Sequence, residues 1–410
     1  MMAGETNDGT TPGRPAAKRL VLVGGGHAHA QVLENWIEAP IDGVELWLVS
    51  PDPRSPYSGM VPGWLAGLYN YDAICIDLVA LCMDAGAVFV QDEMIDLDAT
   101  VRRVHLRSGG SIDYDVLSLD VGSTLVPPDI DGSTVLPLRP LSQLRSRWDA
   151  LLGDLADSRP DAAIAITCVG GGAAGFESIL ALQRRLQAQR ADVRATLWTS
   201  SDTILPGLAR GAVRRATRVL ADRGIAVHVN RAFDAVLALR CETESASRSG
   251  DAARPPATRH VVLWATGARS HAWQAHTALA TDAAGFFRVD RMLRSTSHAD
   301  VFASGDCAAW ERPLPKAGVY AVRMGPVLVR NLRAALGDGR PRVWRPQHRH
   351  LVLLSTADRR AIASRGVFSL SGAWVWRWKD LLDRRFLGRF APRRFVSPAD
   401  HAADSPEEAS

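Results

Sequence analysis

Three glycine-rich turns in this sequence each deliver a residue that can do chemistry. In RLVLVGGGHAHAQVLENW (19–36), Gly24, Gly25 and Gly26 run into His27 and His29. In AAIAITCVGGGAAGFESILALQRRL (162–186), Gly170, Gly172 and Gly175 stand in full G-x-G-x-x-G register and lead to Glu177. In ADVFASGDCAAW (299–310), Gly305 is followed by Asp306. A glycine turn at a helix start offers backbone N–H groups and the positive end of the helix dipole to a pyrophosphate. A carboxylate in a tight turn, as at Asp306, can accept hydrogen bonds from a polyol. Lysine occurs only at 18, 316 and 379 in a chain otherwise basic through arginine. Lys316 therefore stands out as a compact ammonium placed to stabilise a developing anion.

These groups need strands to carry them and helices to receive them. Each of the first two glycine turns follows an apolar run, precedes a helix pattern, and is followed by a further strand, VELWLVS (44–50) and VRATLWTS (193–200). The expected fold is α/β, with two Rossmann-like units. The place where such a unit usually puts an acid for a ribose holds Ser50 in the first copy. In the second it holds Thr199, Ser200 and Ser201, which leaves NADH and NADPH both open. VVLWATGARS (261–270) is a third strand of the second unit, with Thr266 and Gly267 in its turn.

Together these motifs identify the chain as resembling the two-dinucleotide-binding flavoproteins, the class of type II NADH dehydrogenases, sulfide:quinone reductases and disulfide reductases. GGGHAHAQVL, SPYSGMVPGWLAGLYNYD, YDVLSLDVGS, LPKAGVYAVRMGPVLVRNL and WVWRWKDLLDRRF narrow it. Together they are similar to the flavoprotein module often fused in front of selenophosphate synthase, over roughly 18–395. The resemblance implies a glutathione-reductase type of fold with FAD and NAD(P)H as cofactors. FAD would lie on Gly24, Gly25, Gly26, His27, His29, Ser50, Tyr57, Gly59, Gly305 and Asp306. NAD(P)H would lie on Gly170, Gly172, Gly175, Thr266 and Gly267, with Glu177 and Lys316 as catalytic residues. Hydride would pass from nicotinamide to flavin N5, and electrons onward to a quinone-like or other small acceptor. A non-catalytic, redox-sensing flavoprotein and a sulfide:quinone reductase are the alternatives.

The resulting domain plan is an FAD unit at 18–145 and 275–340, an NAD(P) unit at 146–274, and a C-terminal segment at 341–395. Tails at 1–17 and 396–410 lack periodicity and read as disordered, and 241–258 reads as a hairpin loop. Three short strands (350–356, 359–364, 366–370) should precede a Trp- and Arg-rich helix at 373–390. That helix puts Trp374, Trp378, Leu381, Leu382 and Phe386 on one side and basic residues on the other, which suits a membrane interface, a lid on the site, or a homodimer contact. Tyr320 and Arg323 are expected to share a helical face with Lys316, and Cys75 with Cys82. Five scattered cysteines, no C-x-x-C pair and no evident signal peptide give the expectation of a cytoplasmic protein, on or near the inner face of the membrane, with no metal site. A net charge of +4 and no recognisable motif argue against nucleic acid.

Overall fold

The computed structural model describes residues 17–157, 163–189, 192–234, 258–347 and 349–392. The segments read as disordered tails, and nearly all of the 241–258 loop, lie outside those residues.

Two five-stranded sheets, every pair in them parallel, form the frame. The first runs Val301–Ala303, Val116–Leu119, Lys18–Val23, Val44–Ser50, Val88–Gln91 in space. The second runs Ser133–Pro137, Thr258–Trp264, Ala163–Val169, Val193–Trp198, Ala226–His228. In both, the strand before the glycine turn is central. All seven residues of Ala163–Val169 are buried, as expected for a strand covered on both faces. Each fully buried Leu or Val contributes about 1.5–3 kcal/mol.

The chain leaves the first sheet, builds the second, and returns to add Val301–Ala303 beside Val116–Leu119. The pairing corrects one expected boundary. Ser133–Pro137 belongs to the second sheet, so the crossing precedes residue 133 rather than falling at 146. The reason is register: that strand completes an edge that only a chain-distant partner, Thr258–Trp264, can pair.

Val352–Ser355, Ala361–Arg365 and Phe368–Gly372 make an antiparallel sheet, followed by the helix Ala373–Gly388. One core ties three parts together, since Trp64, Phe176, Leu354 and Ile362 belong to the same buried cluster. A site shared by the two sheets and the C-terminal segment is thereby held on packed elements.

Two expected faces do not form. Cys75 lies in a short strand, and the helix carrying Cys82 starts only at Leu78, where Asp77 caps it by accepting from Ala80 N–H. Lys316 precedes the helix Gly318–Ala335, while Tyr320 packs on His350 and Arg323 pairs with Gln347. Both expectations assumed a helix running through a cap.

Candidate functional site

The two glycine turns are built alike. Gly24 and Gly170 have φ of +98° and +125°, left-handed values that favour glycine. A Cβ on Gly24 would lie 2.4 Å from Asp120 O, and one on Gly170 would lie 2.2 Å from Ala265 O. Each turn is therefore pressed against the residue that follows the neighbouring strand. The helices His27–Glu38 and Ala173–Gln187 start at Gly26 and Gly172, neither of which supplies a side-chain cap. N–H groups at such a helix start can receive a phosphate; in the first helix Ala28 N–H is shared with Asp120 Oδ2.

The third step differs. In the second turn a Cβ on Gly175 would sit 1.9 Å from Gly170 O, so only glycine lets the helix close on the strand. The corresponding residue of the first turn is His29. Its Nδ1 lies 2.7 Å from Gly24 O and its Nε2 lies 2.8 Å from Ser118 Oγ. A carbonyl can only accept, so Nδ1 carries the proton and Ser118 donates to Nε2. Burial pushes His29 down to about 4, which keeps it neutral.

Both turns open on one cleft of about 1720 Å³. Gly24, Gly25, Gly26, His27, Ser50, Tyr57 and Gly59 line it from the first unit, and Gly172, Glu177, Thr266 and Gly267 from the second. Gly170, Gly175, His29 and Gly305 lie behind the wall and shape it. Ser50 Oγ donates to Asp52 O. His27 is neutral, pushed down to about 4 by burial, and its Nε2 faces Ser58 N–H at 3.4 Å. It packs on Tyr57, which packs in turn on Phe386 of the C-terminal helix, with ring centroids 5.3 and 4.9 Å apart.

The floor between the two turns carries a charged cluster. Lys379 Nζ donates to Gly59 O at 2.5 Å and to Asp383 Oδ2 at 2.6 Å, both residues being nearly inaccessible. Glu177 faces the same cleft, and its Oε1 accepts from Ser355 N–H at 2.7 Å. Desolvation pushes Glu177 up to about 7, opposed by the charge of Lys379. Tyr57 also hydrogen-bonds Asp383, and burial raises that carboxyl.

Asp306 and Lys316 lie at the cleft but are engaged. Arg139 Nη1 bonds to Asp306 Oδ2 and to Ser123, while Arg139 Nη2 donates to Lys316 O at 2.9 Å. The Lys316 ammonium donates to Ala308 O at 2.6 Å and lies 3.7 Å from the centre of the Phe286 ring. It is turned onto protein rather than presented as a free cation.

A family model described as pyridine nucleotide-disulphide oxidoreductase matches residues 18–325, which include both glycine turns and the Asp306 turn. The chain belongs to that family. FAD and NAD(P)H are the cofactors of that family. An NADH dehydrogenase-like protein of Mycobacterium tuberculosis is 28% identical over 235 residues, 55% of this chain and 56% of the relative. The chain thus spans about half the length of the curated relatives it matches. Among solved structures, the sulfide:quinone oxidoreductase of Aquifex aeolicus superposes with a TM-score of 0.69 at 18% identity, over 91% of both chains. NDH2 of Plasmodium falciparum, in complex with NADH, gives 0.65 at 12% identity over 92% of this chain and 99% of that one. The water-forming NADH oxidase of Lactobacillus brevis gives 0.61 at 19% identity, over 85% and 75%. Such likenesses establish the fold.

The residues present fit the family's cofactors. A Cβ on Gly172 would meet nothing within 4 Å, so the second helix start is open to a pyrophosphate. The first turn and Asp306 line the same cleft. Four polar residues of the site escaped the sequence reading: Asp120, Arg139 and the Lys379–Asp383 pair. The scarcity of lysine pointed to Lys379 as strongly as to Lys316. The basic, tryptophan-rich look of its helix concealed it.

Ala373–Gly388 buries Val375 against its own sheet and Lys379 and Asp383 at the cleft, which Leu382 also lines. Trp374 and Leu381 are 52% and 65% exposed, with Trp378 and Leu382 beside them. The charged pair turns inward because Gly59 O and Tyr57 await it there.

Proposed function

We propose that the chain is an FAD-dependent NAD(P)H oxidoreductase that passes electrons to a quinone-like or other small acceptor. When bound, the flavin supplies a ring that takes hydride from nicotinamide and gives electrons up again. The observation that carries the reading is the convergence of Glu177 with Lys379 and Asp383 on the one cleft that both glycine turns share. Glu177 stands in the first turns of the nicotinamide-side helix, while Lys379 holds the backbone of Gly59 on the flavin side.

Reducing a quinone to a quinol consumes two protons. Glu177, poised at about 7, holds a proton at its carboxyl below that pH and can release it to the cleft. Lys379, clamped between Gly59 O and Asp383, keeps a positive charge beside the site and draws the C-terminal helix over it. Lys316, itself at the cleft, braces the Asp306 turn through Ala308 O.

A sulfur-directed reaction finds less support. Among the described residues no cysteine lines the cleft. Cys168 and Cys307 are fully buried, and burial pushes both thiols up to about 12, far from the thiolate that such chemistry uses. A vestigial nicotinamide site is disfavoured by the open approach at Gly172. The finer resemblance, to the module that accompanies selenophosphate synthase, leaves a selenium compound as a second acceptor to try.

The proposal includes peripheral attachment at the inner face of the membrane through 373–390. The hairpin residues Val367 and Phe368, 82% and 77% exposed, add to the exposed face of the helix, and arginines flank it. No described helix is long and apolar enough to cross a membrane.

The test is anaerobic stopped-flow. NADH or NADPH should bleach the flavin band, and a soluble quinone should restore it. Glu177→Gln should keep its FAD and slow reoxidation about 100-fold. It should also abolish the decline in wild-type reoxidation above pH 7. Bleaching by neither nucleotide would sink the proposal.

A further inference from the structure

The two glycine turns differ at one position that the reading above does not use. Gly24 packs on the carbonyl of Asp120 and Gly170 on that of Ala265. Asp120 N–H donates to Val23 O at 2.9 Å, and Ala265 N–H donates to Val169 O at 2.8 Å. The residues are structural counterparts: one unit has a methyl group where the other has a carboxyl. Since the second turn forms around alanine, the turn itself does not require Asp120.

The carboxyl is built into the first turn. Its Oδ2 accepts from Ala28 N–H at 3.0 Å, inside the first turn of the helix. A Cβ on Gly26 would lie 2.1 Å from it, and one on Gly305 would lie 2.3 Å from its Oδ1. Glycines of two separate motifs thus make room for this one side chain. Asp120 is 4% exposed and lines the cleft.

Its surroundings hold no cation bonded to it among the described residues. From the helix it faces the N–H groups of Ala28 and His29, and the imidazoles of His27 and His29 on that helix are neutral. From the Asp306 turn it faces a second carboxylate and the protonated thiol of Cys307. Arg139 is spent on Asp306, and the Lys316 ammonium is turned to Ala308 O. Burial pushes Asp120 up to about 7, opposed by the backbone N–H groups. A dinucleotide brings a diphosphate to this same helix start, adding like charge that an ionised Asp120 would oppose.

We propose that Asp120 takes up one proton from solvent when FAD binds, so that a neutral carboxyl and not a carboxylate lies against the diphosphate. Asp120 is then a positioning residue for the cofactor, and FAD affinity is coupled to pH at one identified group. The inference rests on the first turn being the FAD site.

The sign follows from linkage. Below the pKa of the free site Asp120 is already neutral, and affinity is flat. Above it, each binding event draws a proton, and affinity falls by up to about tenfold per pH unit. The experiment strips FAD from the full chain and adds it back from pH 6 to 9, with binding read by flavin fluorescence. Proton uptake is read in parallel with an indicator dye in weak buffer. Wild type should show a flat Kd up to about pH 7, a rising Kd above it, and uptake approaching one proton at pH 8. Asp120→Asn, and Asp120→Ala copying Ala265, should bind FAD with a flat profile and no uptake. His27→Gln should keep the wild-type slope. A flat wild-type profile, or a slope that survives in the Asp120 variants, would overturn the proposal. Failure of wild type to bind FAD at any pH would instead remove the FAD reading, and the inference with it.

Discussion

His29 Nδ1 lies 2.7 Å from the carbonyl oxygen of Gly24, the bond that lets a histidine stand where the second turn needs Gly175. The ring fastens the helix to the turn and, through Ser118, to the neighbouring strand. His29→Ala would leave Gly24 O and Ser118 Oγ unpaired in a dry interior, at a cost of about 2–4 kcal/mol. His29 titrates at about 4 folded and near 6.5 unfolded, so below 6.5 the unfolded chain binds the proton first. The stabilisation by His29 is therefore whole above pH 6.5 and lost as pH falls toward 4, by about 3 kcal/mol. Urea midpoints of wild type and His29→Gln should converge over that window. Parallel profiles would refute the assignment of a neutral, bonded imidazole.

Gly172→Val tests the second turn. No atom stands within 4 Å of the added Cβ, so the variant should fold and keep its flavin. Its side chain should fill the pyrophosphate approach, and bleaching by NAD(P)H should drop at least 100-fold, roughly 2.7 kcal/mol. Loss of FAD with normal bleaching would mean the two turns are assigned in reverse.

Lys316 should matter for stability more than for turnover. Its ammonium bonds Ala308 O and covers Phe286, and a charged hydrogen bond of this kind contributes about 1.5–3 kcal/mol. Lys316→Met should lower the Tm by several degrees while leaving both half-reactions within about threefold of wild type. A 10-fold or greater slowing at unchanged Tm would return Lys316 to the catalytic role expected from its rarity.

The exposed face of the C-terminal helix predicts membrane affinity. Wild type should co-sediment with anionic vesicles, and Trp374→Ser/Leu381→Ser should weaken this about tenfold or more. Flavin content and nicotinamide bleaching should not change. If the variant converts a dimer into a monomer and vesicle binding is absent throughout, the face belongs to a second copy of the chain.

Much of this molecule is written locally. The glycine spacings at 24–26 and 170–175 follow from the close approach that a turn and a pyrophosphate demand. The apolar runs before them follow from burial on both faces of a parallel sheet. Those are short-range constraints, so the two units, their cofactors and Glu177 were legible in the sequence. The sequence also marked Lys316 and Lys379 equally as rare lysines, and could not say what either would bond. That depended on Gly59, 320 positions away in sequence from Lys379, and on Ala308 and Phe286, which captured Lys316. In the same way Asp120 looked like one more residue of a strand end. Only when Gly26, Gly305 and the helix start close around it does its carboxyl become part of the site, because a buried charge takes its meaning from groups that the chain brings together from far apart.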